Sequence, residues 1–193
     1  MFENAHGFIV CKGLAEPEGA ETTALGNEMW MADRRLHKFI NDEVLKIEKD
    51  NCFFLDGYVF NKSDICRQQG TEIWQDAFAT LISEEKCPEK LRGAFSGFWK
   101  KENRFILFVD HIGNKGLYYY CQNDIMIISS NFYYIVELLT YSDITLTVSR
   151  QAVRYMLEQG FMLDDTTFAN EIKRVCPGKI IEIQDNQVTE ERR

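Results

Sequence analysis

The sequence predicts an α+β fold, and three observations predict it. Four apolar stretches follow one another between residues 94 and 129, read with a period near two and joined by connections of three to five residues. Segments with apolar residues at helical spacing stand before and after that run rather than between its strands. A regular strand–helix–strand alternation is absent, which argues against a doubly wound parallel sheet and for layered antiparallel strands with helices.

Each element follows from local pattern. Residues 7–11 are a short continuous apolar run, as in a buried strand, and residues 12–26, with Pro17, three glycines and many glutamates, read as a loop. Residues 27–41 are ambiguous: Met29, Met31 and Leu36 fit either a strand and its continuation or one helical turn. Residues 43–48 alternate as a strand. Residues 52–55 form another, entering Asp56-Gly57, and 58–60 leave it; Asp-Gly between two apolar runs signals a tight turn. The short polar side chains of residues 61–64 suit a helix cap. Residues 71–85 form the clearest helix, because Ile73, Trp74, Ala77, Phe78, Leu81 and Ile82 make one stripe, with Thr71 as cap and Pro88 as stop.

The strands at 94–99, 104–109, 116–121 and 125–129 have connections short enough to predict antiparallel neighbours, with Gly113 to Gly116 as a hairpin between 104–110 and 117–121. Helices are expected over 132–139, after Ser130-Asn131, and after Ser149, where Ala152, Val153, Met156 and Leu157 are apolar. Pro177-Gly178 turns into a last strand over 179–183. The sequence has no internal repeat and no low-complexity stretch.

Composition bounds the function. A chain of 193 residues suits one domain, and 14 Phe, 8 Tyr and 3 Trp supply the bulk of a packed core. Thirty acidic against 22 basic residues give a net charge of −8, and the densest basic stretch, Arg34, Arg35 and Lys38, is flanked by Asp33 and Asp42. Nucleic acid and anionic membrane are therefore poor partners. No apolar run approaches the ~20 residues a spanning helix needs, and the polar start offers no secretory signal. The 6 Cys lie far apart, with no CxxC, and read as reduced thiols of a cytoplasmic protein; His6, His37 and His111 are scattered, so no metal site is expected.

Standard catalytic motifs are absent: no GxSxG, HExxH, P-loop or GxGxxG. Asp110 and His111 are neighbours at a strand end and point apart there, so they read as an ordinary polar turn. The Leu55-Asp-Gly-Tyr-Val-Phe-Asn61 segment is more telling, because a glycine at a strand end leaves its backbone N–H open to a ligand, although a plain turn explains it as well.

Six pieces in order carry a family resemblance: Gly7-Phe-Ile; Leu55-Asp-Gly-Tyr-Val-Phe-Asn; Leu91-Arg-Gly-Ala-Phe-Ser; Phe108-Val-Asp-His-Ile-Gly-Asn-Lys-Gly-Leu-Tyr-Tyr; Ile128-Ser-Ser; and Ile172-Lys-Arg-Val-Cys-Pro-Gly. Together they resemble the glutaminase domain of the asparagine synthetase family, a class II glutamine amidotransferase. The resemblance covers residues 6–183. It implies an N-terminal-nucleophile hydrolase fold: a four-layer αββα sandwich of two antiparallel sheets.

The resemblance also places a pocket, and there this chain departs from the family. The family's nucleophile is an N-terminal Cys followed by Gly; the matching residue here is His6, with five residues before it, and an imidazole cannot form and release a thioester. The family's oxyanion-hole Asn-Gly pair corresponds to Asp56 and Gly57. Its glutamine-holding Glu corresponds to Tyr58, and the Asp of its Ser-Asp-x-Glu stretch to Gly70. The Arg for the α-carboxylate corresponds to Arg34 or Arg35. No catalytic residue is expected, and the resemblance implies a fold kept with glutamine hydrolysis lost.

Residues 1–193 then form one glutaminase-like domain, with 184–193 a tail or the start of a linker. No cofactor is expected in this chain. ATP and Mg belong to a synthetase domain, whose Ser-Gly-Gly-x-Asp-Ser loop is absent here. The expected partner is that synthetase domain, in the same chain or as a separate subunit, with self-association also open. Two other readings stay open: an active amidotransferase with an unusual nucleophile, and a small-molecule-binding module using the remodelled pocket.

Overall fold

The computed structural model describes residues 6–26, 28–34, 44–48, 51–83 and 89–192. Two six-stranded antiparallel sheets form the centre. The first has the order β10-β8-β9-β1-β3-β2, built from β1 (Gly7–Lys12), β2 (Thr23–Gly26), β3 (Met29–Arg34), β8 (Tyr118–Gln122), β9 (Ile125–Ser129) and β10 (Ile172–Arg174). The second has the order β12-β11-β7-β6-β5-β4, built from β4 (Val44–Glu48), β5 (Asn51–Val59), β6 (Gly93–Lys101), β7 (Arg104–Val109), β11 (Ile180–Gln184) and β12 (Gln187–Arg192).

Period-two alternation decides which side chains meet. Phe8, Val10, Met31 and Ile128 of the first sheet face Phe54, Phe98, Leu107 and Ile183 of the second, forming the apolar layer between the sheets. Phe54 lies at its centre, fully buried, with ring centroids 4.7 Å from Phe8 and 5.8 Å from Phe98. The opposite faces bury themselves under helices. α1 (Lys62–Gln69) and α2 (Trp74–Ser83) cover the second sheet through Ile65, Trp74, Ala77, Phe78 and Leu81; α3 (Phe132–Tyr141) covers the first through Ile135, Leu138 and Leu139. The layers thus run α, β, β, α, as expected. α4 (Arg150–Gln159) adds little to the core: of its ten residues only Ala152 is buried.

Several local expectations change. The Asp56-Gly57 turn does not exist: β5 runs unbroken from Asn51 to Val59, paired residue for residue with β6. The glycine answers a different need. Gly57 has φ +125°, and a Cβ there would stand 2.1 Å from the Ala94 carbonyl oxygen, so close strand approach requires it. Asn61 does not cap α1 through its side chain; its amide accepts from Arg92 N–H and donates to the Lys90 carbonyl, both at 2.9 Å. The hairpin around Gly113 to Gly116 is also absent. β7 lies in the second sheet and β8 in the first, so that segment crosses between layers.

Other expectations hold. Asn131 caps α3 through Tyr133 N–H and Ser149 caps α4 through Ala152 N–H, whereas α2 begins at Trp74, so Thr71 Oγ1, accepting from Ile73 N–H, forms a turn ahead of the helix rather than its cap. The ambiguous stretch contains β3. Residues 187–192, expected within a tail or linker, instead form β12, paired with β11. Pro88, the expected helix stop, lies outside the described residues. Among the described residues, no helix is long and apolar enough to cross a membrane.

Cys11, Cys52, Cys66, Cys121 and Cys176 are free thiols. Burial pushes the Cys11 thiol up to about 12 and the Cys52 and Cys121 thiols to about 11, from an ordinary value of 9.0. Unfolded thiols shed protons near pH 9 while the folded chain keeps them, so the unfolded state binds fewer protons above that pH. Stability is therefore complete below pH 9 and falls as pH rises toward 11–12. Cys11 and Cys52, both fully buried, should each cost up to about 1.4 kcal/mol per pH unit in that window. Urea midpoints at pH 8 and pH 10 measure this, and a Cys11→Ala/Cys52→Ala chain should show a smaller drop. Phe54→Ala should destabilise the chain by about 4 kcal/mol in urea unfolding, while Ile112→Ala, at an exposed site, should stay within about 0.5 kcal/mol.

Candidate functional site

Strand direction brings the sequence-derived residues to one end of the sandwich. Lys12, at the far end of β1, donates to Asn186 Oδ1 at 3.3 Å. Asn186 sits in the β11–β12 turn, beside the β6–β7 turn and the start of β5 through the Gln184–Arg104 and Asn51–Lys101 pairs. Lys12 and Asn51 therefore share one end. β1 and β5 run oppositely, so His6 and the segment Asp56, Gly57 and Tyr58 share the other.

At that end His6 is exposed and leads into Gly7. The backbone there is fixed by two serines: Phe8 N–H donates to Ser130 Oγ at 2.9 Å, and Ser129 Oγ donates to the Phe8 carbonyl at 2.6 Å. A Cβ on Gly7 would stand 2.4 Å from Ser130 Oγ, so only glycine fits between His6 and the strand.

Asp56 is only 7% exposed and points, like Phe54 two residues earlier, toward the space between the sheets. Its carboxylate accepts from Lys115 Nζ at 3.0 and 3.3 Å. A buried carboxylate requires such a partner, because desolvating an unpaired charge costs several kcal/mol. Ser96, its cross-strand neighbour on β6, is fully buried, and its Oγ lacks a hydrogen-bond partner. Tyr58 follows on the same face of β5, with its ring 5.0 Å from that of Phe60 in an edge-to-face arrangement.

Lys115 reaches Asp56 because Asp110 shapes the segment that carries it. Asp110 is 2% exposed. Its carboxylate accepts four backbone N–H groups: Ile112 at 3.0 Å and Asn114 at 3.2 Å on Oδ1, Phe95 at 3.2 Å and Lys115 at 3.4 Å on Oδ2. Its carbonyl accepts from Gly113 and Gly178, both at 3.1 Å, and its own N–H donates to Phe95. The ordinary polar turn expected at Asp110-His111 is thus a buried clamp joining β6, the crossing segment and the approach to β11. Asp110→Ala would strand those donors, some of which water can reach. It should cost about 3 kcal/mol, a fall of roughly 6–12 °C in Tm by calorimetry, whereas His111→Ala at the exposed neighbour should leave Tm nearly unchanged.

The remaining expected residues lie elsewhere. Gly70 is the C-cap of α1, in the helix layer outside the second sheet; its φ of 68° closes the helix, with its N–H on the Arg67 carbonyl. Arg35 lies outside the described residues; Arg34 ends β3 opposite Gly7. Sequence reasoning missed Lys115, Asp110 and Ser96. The Asp110-His-Ile-Gly-Asn-Lys spacing held a signal, since an Asp followed by Gly and Asn commonly takes the N–H groups two and four residues on. Among the described residues, no group of three or more His, Cys, Asp or Glu is arranged to hold a metal.

What this end of the molecule offers is a zwitterionic pair in place of a neutral donor. A carboxylate only accepts hydrogen bonds, so Asp56 contributes no N–H to a developing oxyanion. The positive charge beside it is already engaged.

Comparison with known proteins agrees with the architecture. Two solved structures align with 97% of this chain and with 43% of their own: the glutamine phosphoribosylpyrophosphate amidotransferase of B. subtilis complexed with ADP and GMP, at 15% identity and TM-score 0.57, and a structure described as the allosteric regulatory enzyme of purine biosynthesis, at 13% and 0.56. The chain thus spans under half the length of either, and the likeness is one of fold. No curated protein sequence matches it. Residues 57–193 match the family model described as the glutamine amidotransferase domain, and the chain belongs to that family.

Proposed function

We propose that this is a glutamine amidotransferase domain that has lost glutamine hydrolysis and acts as the non-catalytic, partner-docking domain of an asparagine-synthetase-like, ATP-dependent amide-forming enzyme. The observation that carries the proposal is the Asp56–Lys115 ion pair. By the sequence resemblance, Asp56 stands where the family places the amide donor of its oxyanion hole. Loss of one such donor removes about 3–4 kcal/mol of transition-state stabilisation, and a carboxylate adds repulsion toward the developing charge.

Two further departures support the reading. His6 replaces the thiol nucleophile, and its nitrogen is a peptide nitrogen rather than a free amine able to act as base. By the resemblance Tyr58 replaces a carboxylate that would hold the α-ammonium of glutamine; Gly70, matched to the second carboxylate, lies in the helix layer outside the second sheet and is not counted among these departures. Meanwhile the glycines that permit close backbone approach, Gly7 and Gly57, remain, as do both sheets. ATP and Mg would belong to the synthetase partner, and this chain would shape or stabilise that partner's site. The −8 charge makes nucleic acid a poor partner, and the free thiols fit a cytoplasmic protein.

The purified chain should release no ammonia from glutamine above a no-enzyme control. His6→Cys with residues 1–5 removed should stay inactive, and adding Asp56→Asn and Tyr58→Glu should raise hydrolysis at least ~10²-fold over that single replacement. Ammonia release by the unaltered chain would overturn the proposal.

A further inference from the structure

We propose that the chain self-associates through α4, packed antiparallel against α4 of a second copy about a two-fold axis. The first observation is an apolar stripe turned outward. Val153 and Leu157, at i and i+4 on α4, are exposed, Leu157 at 82%, and Phe161, just past the Gly160 C-cap, is exposed as well. Met156 beside them and Val148 before the helix are exposed too, while Ala152 alone is buried. The amphipathic helix thus presents its apolar face to solvent, the reverse of what a monomer's surface helix does.

The second observation is charge, and it selects the occupant. Arg150 opens the first turn of α4 and Glu158 lies in its last, with no acidic residue in the first turn and no basic one in the last. Both charges stand where the helix's own dipole disfavours them. Arg154 and Glu158 pair at 2.8 Å with the cation N-terminal, the less favourable order. An antiparallel neighbour reverses the dipole. Arg150 and Arg154 of one copy then meet the C-terminal half of the other, with its Glu158, and each copy's Glu158 meets the partner's N-terminal half. A two-fold arrangement makes the same patch complementary to itself.

Analytical ultracentrifugation of the full chain tests this. The chain should sediment as a dimer of two 22.6 kDa subunits at micromolar concentration. Leu157→Glu should raise the dimer Kd at least ~100-fold while far-UV circular dichroism stays unchanged and, at a concentration where both chains are monomeric, the urea midpoint stays the same. Arg154→Glu and Glu158→Arg should each weaken the dimer, and the two together should restore it. A chain that stays monomeric at every concentration overturns the proposal and leaves this face to a different polypeptide. A dimer indifferent to Leu157→Glu overturns it equally.

Discussion

The Asp110 carboxylate is the interaction on which this end of the molecule depends. Crossing from one sheet to the other forces a segment of chain to bury backbone donors without a strand to pair with. One side chain satisfies three of them together with the Phe95 N–H of β6, and its carbonyl takes the Gly113 N–H and that of Gly178 on the way into β11. The second sheet thereby acquires β11 next to β7, and the first begins β8 at a defined place. A carboxylate suits the task because two oxygens with about four acceptor sites can face several N–H groups at once, and charge-assisted bonds are stronger than neutral ones.

From that clamp the chemistry of the cleft follows. Lys115 is presented by a segment with little freedom, so its ammonium is directed at Asp56 rather than left in solvent. The two charges offset each other's desolvation, and the fully buried Ser96 hydroxyl lies on the strand beside them. The family scaffold demands a tight, glycine-lined approach between β5 and β6 at this point, and that demand persists. What has changed is the side chain next to the glycine and the cation that now neutralises it. Architecture and reactivity are separable here because the sheets rest on apolar contacts such as Phe8 with Phe54, whereas the reaction would rest on a few polar groups at the rim.

The fold was legible where local pattern and packing agree. The β6–β7 and β8–β9 hairpins have connections too short for anything but antiparallel pairing, and the α2 stripe can only be a buried helical face. It was illegible where a distant constraint overrides a local signal. Asp56-Gly57 has the chemistry of a turn, yet the glycine is required by Ala94 on another strand. α1 buries only Ile65 and so carries no stripe. In α4 the apolar residues look like core and face outward. As for the site, the resemblance named His6, Asp56, Gly57 and Tyr58, which the strand directions bring to one end. Lys115 could not be found that way, because its role depends on a clamp formed across two layers.

The central claim is that Asp56 and Lys115 interact as a pair within the fold, and a double-mutant cycle tests it most directly. Asp56→Asn, Lys115→Met and the combined variant would be unfolded in urea beside the original chain. The lysine side chain is 36% exposed and the aspartate's 10%, so solvent screens the pair in part and the coupling should be about 1–2 kcal/mol. A double variant whose loss equals the sum of the two single losses would contradict the account, because the charge at the oxyanion position would then not be held by Lys115.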